Sequence, residues 1–225
     1  MTKLMAVVRA QRGIDRTELH ARCKQPLRHD GVVGWVANVA DVSQDPVGGG
    51  EPTAEAVVEV RLAPGTPVGE VVEQLVPGIT ADVYEVEERL LWDRHGQWPL
   101  GERAIGFNRI ALVPRIASLT RDEFAAHWTD VHGPIAARHH PGIARYVQNV
   151  VKCAHTPGSP DWDGIAELHF VRTEDFTERM YDSDEGRRIV REDVTRFIDP
   201  SRGERFLLGR WTIVRDDALQ DPPRA

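Results

Sequence analysis

Two histidines five residues apart, His127 and His132, stand in the stretch Leu119-Thr-Arg-Asp-Glu-Phe-Ala-Ala-His-Trp-Thr-Asp-Val-His-Gly-Pro134 beside a bulky apolar stripe. Imidazole titrates near neutrality, so one ring can take a carbon-bound proton while another gives one to a leaving oxygen. Thr120 and Glu123 are spaced as a capping box that would start a helix. Phe124, Trp128 and Val131 then fall at i, i+4 and i+7 on one face. At about 100° per residue, His127 lies about 60° to one side of Phe124 and His132 about 80° to the other. The rings flank the stripe and diverge by about 140°. The residue before a proline avoids the α region, so the helix is expected to break at Gly133. That would leave His132 at a helix C-terminus, where the macrodipole favours the protonated ring. On this ground His132 is the expected general acid and His127 the general base, with exchange of the two roles left open.

The elements that must position these rings come in two copies. Periodicity gives strands near 3–9, 31–40, 55–62 and 83–91 with helices near 15–24 and 68–75. It then gives strands near 107–115, 143–151, 164–172 and 206–214 with helices near 120–138 and 174–198, the last broken near Gly186. Gly31, Val36, Asn38 and Val39 align with Gly142, Val147, Asn149 and Val150; Glu59 aligns with Glu167. Both first helices open with a capping-box spacing, Asp15 to Glu18 and Thr120 to Glu123. Each copy reads βαββαβ, the split-βαβ, ferredoxin-like unit, which leaves one sheet face bare. Two tandem copies cover it by packing sheet to sheet or closing an intrachain α+β barrel. The expected division is 1–93, a degenerate and mainly architectural repeat; 94–104, a linker; 105–215, the repeat carrying the site; and 216–225, a flexible tail. Pro46–Pro52 and Thr156–Pro160 read as hairpin loops.

Strand alternation puts Gly164, Ala166, Leu168 and Phe170 under the helices, with Ile165, Glu167 and His169 on the opposite face. Glu167 and His169 are then about 6.7 Å apart along one side. Buried titratable groups are costly unless paired, and a pocket is one reason to keep them. The expected catalytic set is His127, His132 and Glu167, the last orienting an imidazole. Tyr146 and His169 would bind substrate oxygens, and Trp128 would pack in the wall. The alternative for Glu167 and His169 is a structural pairing at the barrel rim. His139 and His140 read as a solvated helix end. No metal site is expected, because His127 and His132 diverge too far to share an ion with Glu167 and His169.

A formal charge of −7 argues against a nucleic-acid partner. No stretch approaches 18 uninterrupted apolar residues, and the N-terminus has no long apolar core, so neither a membrane span nor a signal peptide is expected. Cys23 and Cys153 form no disulfide framework. A reduced, cytoplasmic protein is the expectation.

The second half resembles an EthD domain of the dimeric α+β barrel superfamily. The likeness rests on Arg115, Leu119–Pro134, Arg145-Tyr-Val-Gln-Asn149, Asp163-Gly-Ile-Ala-Glu-Leu168, and Ser183–Asp193 followed by Phe197-Ile-Asp199. The resemblance implies a barrel that relatives build from two chains, and acid/base chemistry on a hydrophobic, often aromatic, small molecule without an organic cofactor. The expected function is a cofactor-independent dehydratase, lyase, isomerase or cyclase of secondary metabolism, acting on an oxygenated cyclic or polyketide-like compound. The alternatives are a non-catalytic small-molecule-binding or accessory protein, and a haem- or metal-dependent oxidoreductase. The expected partner is the small molecule; homodimerisation is left open.

Overall fold

The computed structural model describes residues 1–10, 13–40, 53–75, 81–96 and 98–214. The expected loop at Pro46–Pro52 and the tail from residue 216 lie outside them. Strands β1 (Thr2–Val8), β2 (Val32–Val39), β3 (Ala56–Leu62) and β4 (Ala81–Asp93) belong to the first repeat. Strands β5 (Phe107–Val113), β6 (Arg145–Ala154), β7 (Gly164–Phe170) and β8 (Glu204–Val214) belong to the second. They close one antiparallel barrel in the order β1-β3-β2-β8-β5-β7-β6-β4. Each repeat contributes a four-stranded ferredoxin-like sheet, and the seams are β2–β8 and β4–β6. Closure removes every strand edge that an isolated repeat would leave unpaired.

Alternation along the strands divides the core in three. Leu4, Ala6, Trp35 and Val58 face outward under α1 (Arg16–Cys23) and α2 (Val68–Leu75). Phe107, Ala111, Tyr146, Ala166 and Leu168 face outward under the helices of the second repeat. Met5, Val86, Ile110, Ile165 and Leu208 fill the lumen. Among the described residues, no helix is long and apolar enough to cross a membrane. The capping box at Thr120 forms with both hydrogen bonds in place. At Asp15 only half of it forms: the Asp15 side chain accepts from Thr17 and Glu18, but the Glu18 carboxylate turns to Arg22.

The expected helix end at Gly133 is overturned. α3 (Arg121–Ala126) runs into a π-helical turn (His127–His132) and on into α4 (Gly133–His139). Gly133 is helical at φ −53, ψ −53, and its N–H reaches the Trp128 carbonyl five residues back. Pro134 has no N–H to give, and its ring would crowd the carbonyl four residues back in a regular helix. The wider turn relieves that crowding. The strands stabilise it: the Gln148 amide donates to the Trp128 carbonyl at 2.8 Å, and Arg89 donates to the Ala125 carbonyl at 3.1 Å. Residues five apart are thereby stacked rather than splayed, which overturns the expected divergence of the two histidines. Val131, expected in the apolar stripe, is turned outward at 42% exposure, and His132 is buried in its stead.

The last helix also breaks earlier than expected. α5 (Thr173–Thr177) and α6 (Asp184–Val194) are separate, and Ser183 caps α6 by accepting from the Gly186 N–H. Gly186 is inside α6, packed so closely that a Cβ would meet Asp182 Oδ1 at 2.0 Å.

Candidate active site

The π turn lays both histidines against α6, where one carboxylate bridges them. Asp193 Oδ2 lies 2.8 Å from His132 Nδ1, and Oδ1 lies 2.9 Å from His127 Nε2. Burial alone would raise the Asp193 carboxyl, but the bonds to His132 and His127 hold it below its ordinary value. The ionised carboxylate accepts from both rings, which fixes the tautomers: His132 carries its proton on Nδ1 and His127 on Nε2. His132 Nε2 and His127 Nδ1 make no hydrogen bond to a described residue. Phe197 walls both rings, with centroids 4.8 Å from His127 and 5.1 Å from His132.

The floor of this layer is the outer face of β5 and β6. The Tyr146 hydroxyl accepts from Trp128 Nε1 at 2.9 Å, and burial raises the Tyr146 pKa to about 12. Gly164 lets the indole lie on β7, where a Cβ would meet Trp128 at 2.3 Å. Arg109, on the helix-facing side of β5, has no hydrogen bond or ion pair to a described residue. Burial and Arg205 push its pKa down to about 10, against the pull of Tyr181 and Tyr146. His140, expected at a solvated helix end, is instead buried. Burial first, then His132 and Arg109, lower it to about 4 against the Met180 carbonyl it contacts. A cationic guanidinium with no counter-ion among the described residues, a tyrosine and two histidines thus share one helix–sheet layer.

Glu167 and His169 are on the other face of β7, inside the barrel. The sheet separates them from His127 and His132, so the expected single constellation does not assemble. Glu167 touches neither imidazole of the pair. It accepts from Lys3 Nζ and Asn149 Nδ2 at 2.9 and 2.8 Å, and from Arg210 at 3.3 Å. Nor does it bond His169, whose ring contacts Asn108 Oδ1 at 2.8 Å and the Ile105 carbonyl at 2.9 Å. Burial, Arg210 and His95 lower His169 to about 3. Its neutral ring can supply only one of those two acceptors with a proton.

The lumen around Glu167 is an ion cluster in which one asparagine–glutamate pair from each repeat recurs. Asn38 donates to Glu59 at 2.9 Å as Asn149 does to Glu167. Lys3 Nζ sits 2.5 Å from Glu88, 2.9 Å from Glu167 and 3.1 Å from Glu59. Arg210 bridges Glu59 and Glu167 at 2.7 and 3.3 Å. Trp98 of the linker covers this mouth, anchored to Asp93 at 2.9 Å and edge-on to His169 at 4.6 Å.

Sequence reasoning missed Asp193 and Arg109. Asp193 had a signal: it shares the face of Val190 and Phe197, both buried, and a carboxylate on an apolar stripe demands a partner. Arg109 had a weaker one, a charge on a strand whose alternate residues face the helices.

Residues 117–201 match the EthD domain. No curated protein matches the chain. Among solved structures, an anthrone oxidase-like protein superposes with a TM-score of 0.62 at 11% identity, covering 98% of this chain and 96% of that one. Two chlorite dismutase variants from Candidatus Nitrospira defluvii give TM-scores of 0.48 and 0.47, each at 12% identity. They cover 93% and 92% of this chain and 90% of their own. Residues 117–201, which match the EthD domain, are thus built into a closed α+β barrel that a single polypeptide forms, a fold similar to that of the anthrone oxidase-like protein.

Proposed function

We propose that this protein is a cofactor-independent acid/base enzyme, of dehydratase, isomerase or cyclase type, acting on a hydrophobic oxygenated cyclic small molecule. The work is done in the helix–sheet layer of the second repeat. The observation that carries the reading is the Asp193 carboxylate on His132 Nδ1 at 2.8 Å. A buried carboxylate on one ring nitrogen holds the other as a lone pair and stabilises the imidazolium that forms when it takes a proton. His132 is therefore the general base, and the imidazolium it becomes returns the proton from Nε2 to the leaving or enol oxygen, while His127, more exposed, shares the Asp193 carboxylate and holds it in place. This reverses the assignment drawn from the helix dipole, which fails because the helix continues past His132. Arg109 is the group to meet negative charge on an enolate or phenolate oxygen. Tyr146, Trp128 and Phe197 are the apolar wall; Glu167 and His169, across the sheet, take no part in this reading.

Proton abstraction can be tested without knowing the full reaction. Anthrone and 2-tetralone carry an acidic C–H next to an aromatic ring, and its exchange in D2O is followed by proton NMR. The protein should accelerate exchange of at least one, and His132→Gln should return it to the buffer rate while His127→Gln retains part of it. Exchange at the buffer rate with both ketones, or full activity in His132→Gln, would overturn the assignment. The same bridging carboxylate favours a second reading, a binding protein in which Asp193 locks α6 to the π turn. It predicts ketone binding without exchange.

A further inference from the structure

We infer that Glu85, Cys153 and His155 form a binding site for one divalent transition-metal ion, Zn2+ by the nature of its donors, set across the β4–β6 seam. Glu85 on β4 lies directly opposite Cys153 on β6. His155 follows two residues later on the same side and is fixed by its N–H to the Val83 carbonyl at 2.8 Å. The lumen is lined at this level by Val86 and Val151, so the three donors face outward.

The spacing of the three donors matches that of a coordination shell. His155 Nε2 is 3.3 Å from Glu85 Oε2 and 3.6 Å from Cys153 Sγ, and all three donor atoms lie within 4.8 Å of one another. Around a tetrahedral Zn2+, with Zn–S ~2.3 Å and Zn–N and Zn–O ~2.1 Å, sulfur and nitrogen sit about 3.6 Å apart and nitrogen and oxygen about 3.4 Å. As a hydrogen bond, the 3.3 Å contact between His155 and Glu85 is long and weak. One imidazole proton also cannot serve a carboxylate and a sulfur together. A cation at the centre satisfies all three.

Thiolate, imidazole and carboxylate together select Zn2+ or Co2+ over Mg2+ and Ca2+, which take oxygen donors. Three protein ligands leave a fourth position for water. Cys153 is exposed, and His155 and Glu85 are 25% and 26% exposed, so an ion reaches the site without opening the barrel. The carboxylates of Glu59, Glu88 and Glu167 also converge, but the Lys3 ammonium already occupies their centre. A metal at Glu85, Cys153 and His155 would join the two repeats at their longest seam.

Untagged full-length protein, stripped with EDTA and dialysed, is titrated with CoCl2. One equivalent should bind, with a near-ultraviolet thiolate-to-cobalt band and visible ligand-field bands that Zn2+ abolishes. Cys153→Ser should remove the thiolate band, while Cys23→Ser, at a buried position, should keep it. His155→Gln and Glu85→Gln should each weaken binding by more than ~10-fold, the smaller effect typical of groups outside the ligand shell. Zn2+ should raise the Tm of the parent protein and leave that of Cys153→Ser unchanged. No band at millimolar Co2+, a band surviving Cys153→Ser, or affinity indifferent to both His155→Gln and Glu85→Gln would overturn the inference.

Discussion

Replacing Lys3 with Met tests whether the ion cluster in the barrel holds the two repeats together. Lys3 is 4% exposed and its ammonium touches Glu88, Glu167 and Glu59 at 2.5, 2.9 and 3.1 Å. Breaking a buried ion pair by removing one partner costs about 3–5 kcal/mol, because the surviving charge stays desolvated. Here each carboxylate keeps another cation: Glu88 has Arg61 at 2.7 Å, and Arg210 remains with Glu59 and Glu167. The expected loss is therefore at the lower end, about 3 kcal/mol at pH 7. The pH dependence carries the sharper sign. Burial opposes the charge on Glu88, but Lys3 and Arg61 overcome it and hold the carboxyl at about 2. That contribution is complete above the unfolded value and is lost as pH falls toward 2. Without Lys3, burial should lift at least one of the three carboxyls above its unfolded value of about 4.3. The deficit is then largest at neutral pH and narrows as that group takes up its proton, by about 1 kcal/mol or more at pH 5. Urea unfolding of both proteins at pH 7 and pH 5 measures this, with equal m-values as the condition for comparison. A deficit below about 1 kcal/mol, or one identical at the two pH values, would refute the reasoning. Adding Glu167→Gln to the variant should recover part of the loss.

Three further outcomes follow from the helix–sheet layer. Asp193→Asn should reduce the ketone exchange rate by about 10²–10⁴-fold and displace its pH profile, since an amide cannot hold both tautomers as a carboxylate does; an unchanged profile would reduce Asp193 to a structural tie. His140, buried neutral at about 4 against an unfolded value near 6.5, stabilises fully above the latter and loses that contribution as pH falls toward 4. His140→Gln should flatten the stability curve between those limits by up to about 1.4 kcal/mol per pH unit, read from urea melts; an unaltered slope would contradict the burial argument. Gly164→Ala should force Trp128 off β7, costing about 1–3 kcal/mol and shifting tryptophan emission, whereas a neutral effect would mean the indole can move aside freely.

Strand alternation was legible because it depends only on neighbours: Ile165, Glu167 and His169 do face away from Ala166, Leu168 and Phe170, as their order requires. The alignment of Asn38 and Glu59 with Asn149 and Glu167 was legible too, and both pairs form the same hydrogen bond. The site was less so. Pro134 reads locally as a helix stop, yet Gln148 and Arg89, distant in sequence, service the carbonyls of a wider turn. That one change moved His132 from a helix end to a mid-helix position facing Asp193, a partner 61 residues away. Alternation also says which face a side chain takes but not what covers that face. Glu167 and His132 were therefore assigned to one chamber when a sheet stands between them.

A single polypeptide closing the barrel has a consequence for what the lumen can contain. Register places Lys3 and Asn108 at equivalent positions, opposite Arg61 and His169, and puts Glu88 and Arg210 each two residues beyond the equivalent Val86 and Leu208. An assembly of two identical subunits must repeat every residue across its axis, so an acid on one side always faces another copy of that acid's environment. Covalent fusion lifts that rule. Glutamate in one half answers arginine in the other, and the halves become mutually specific mates, each unable to substitute for its counterpart.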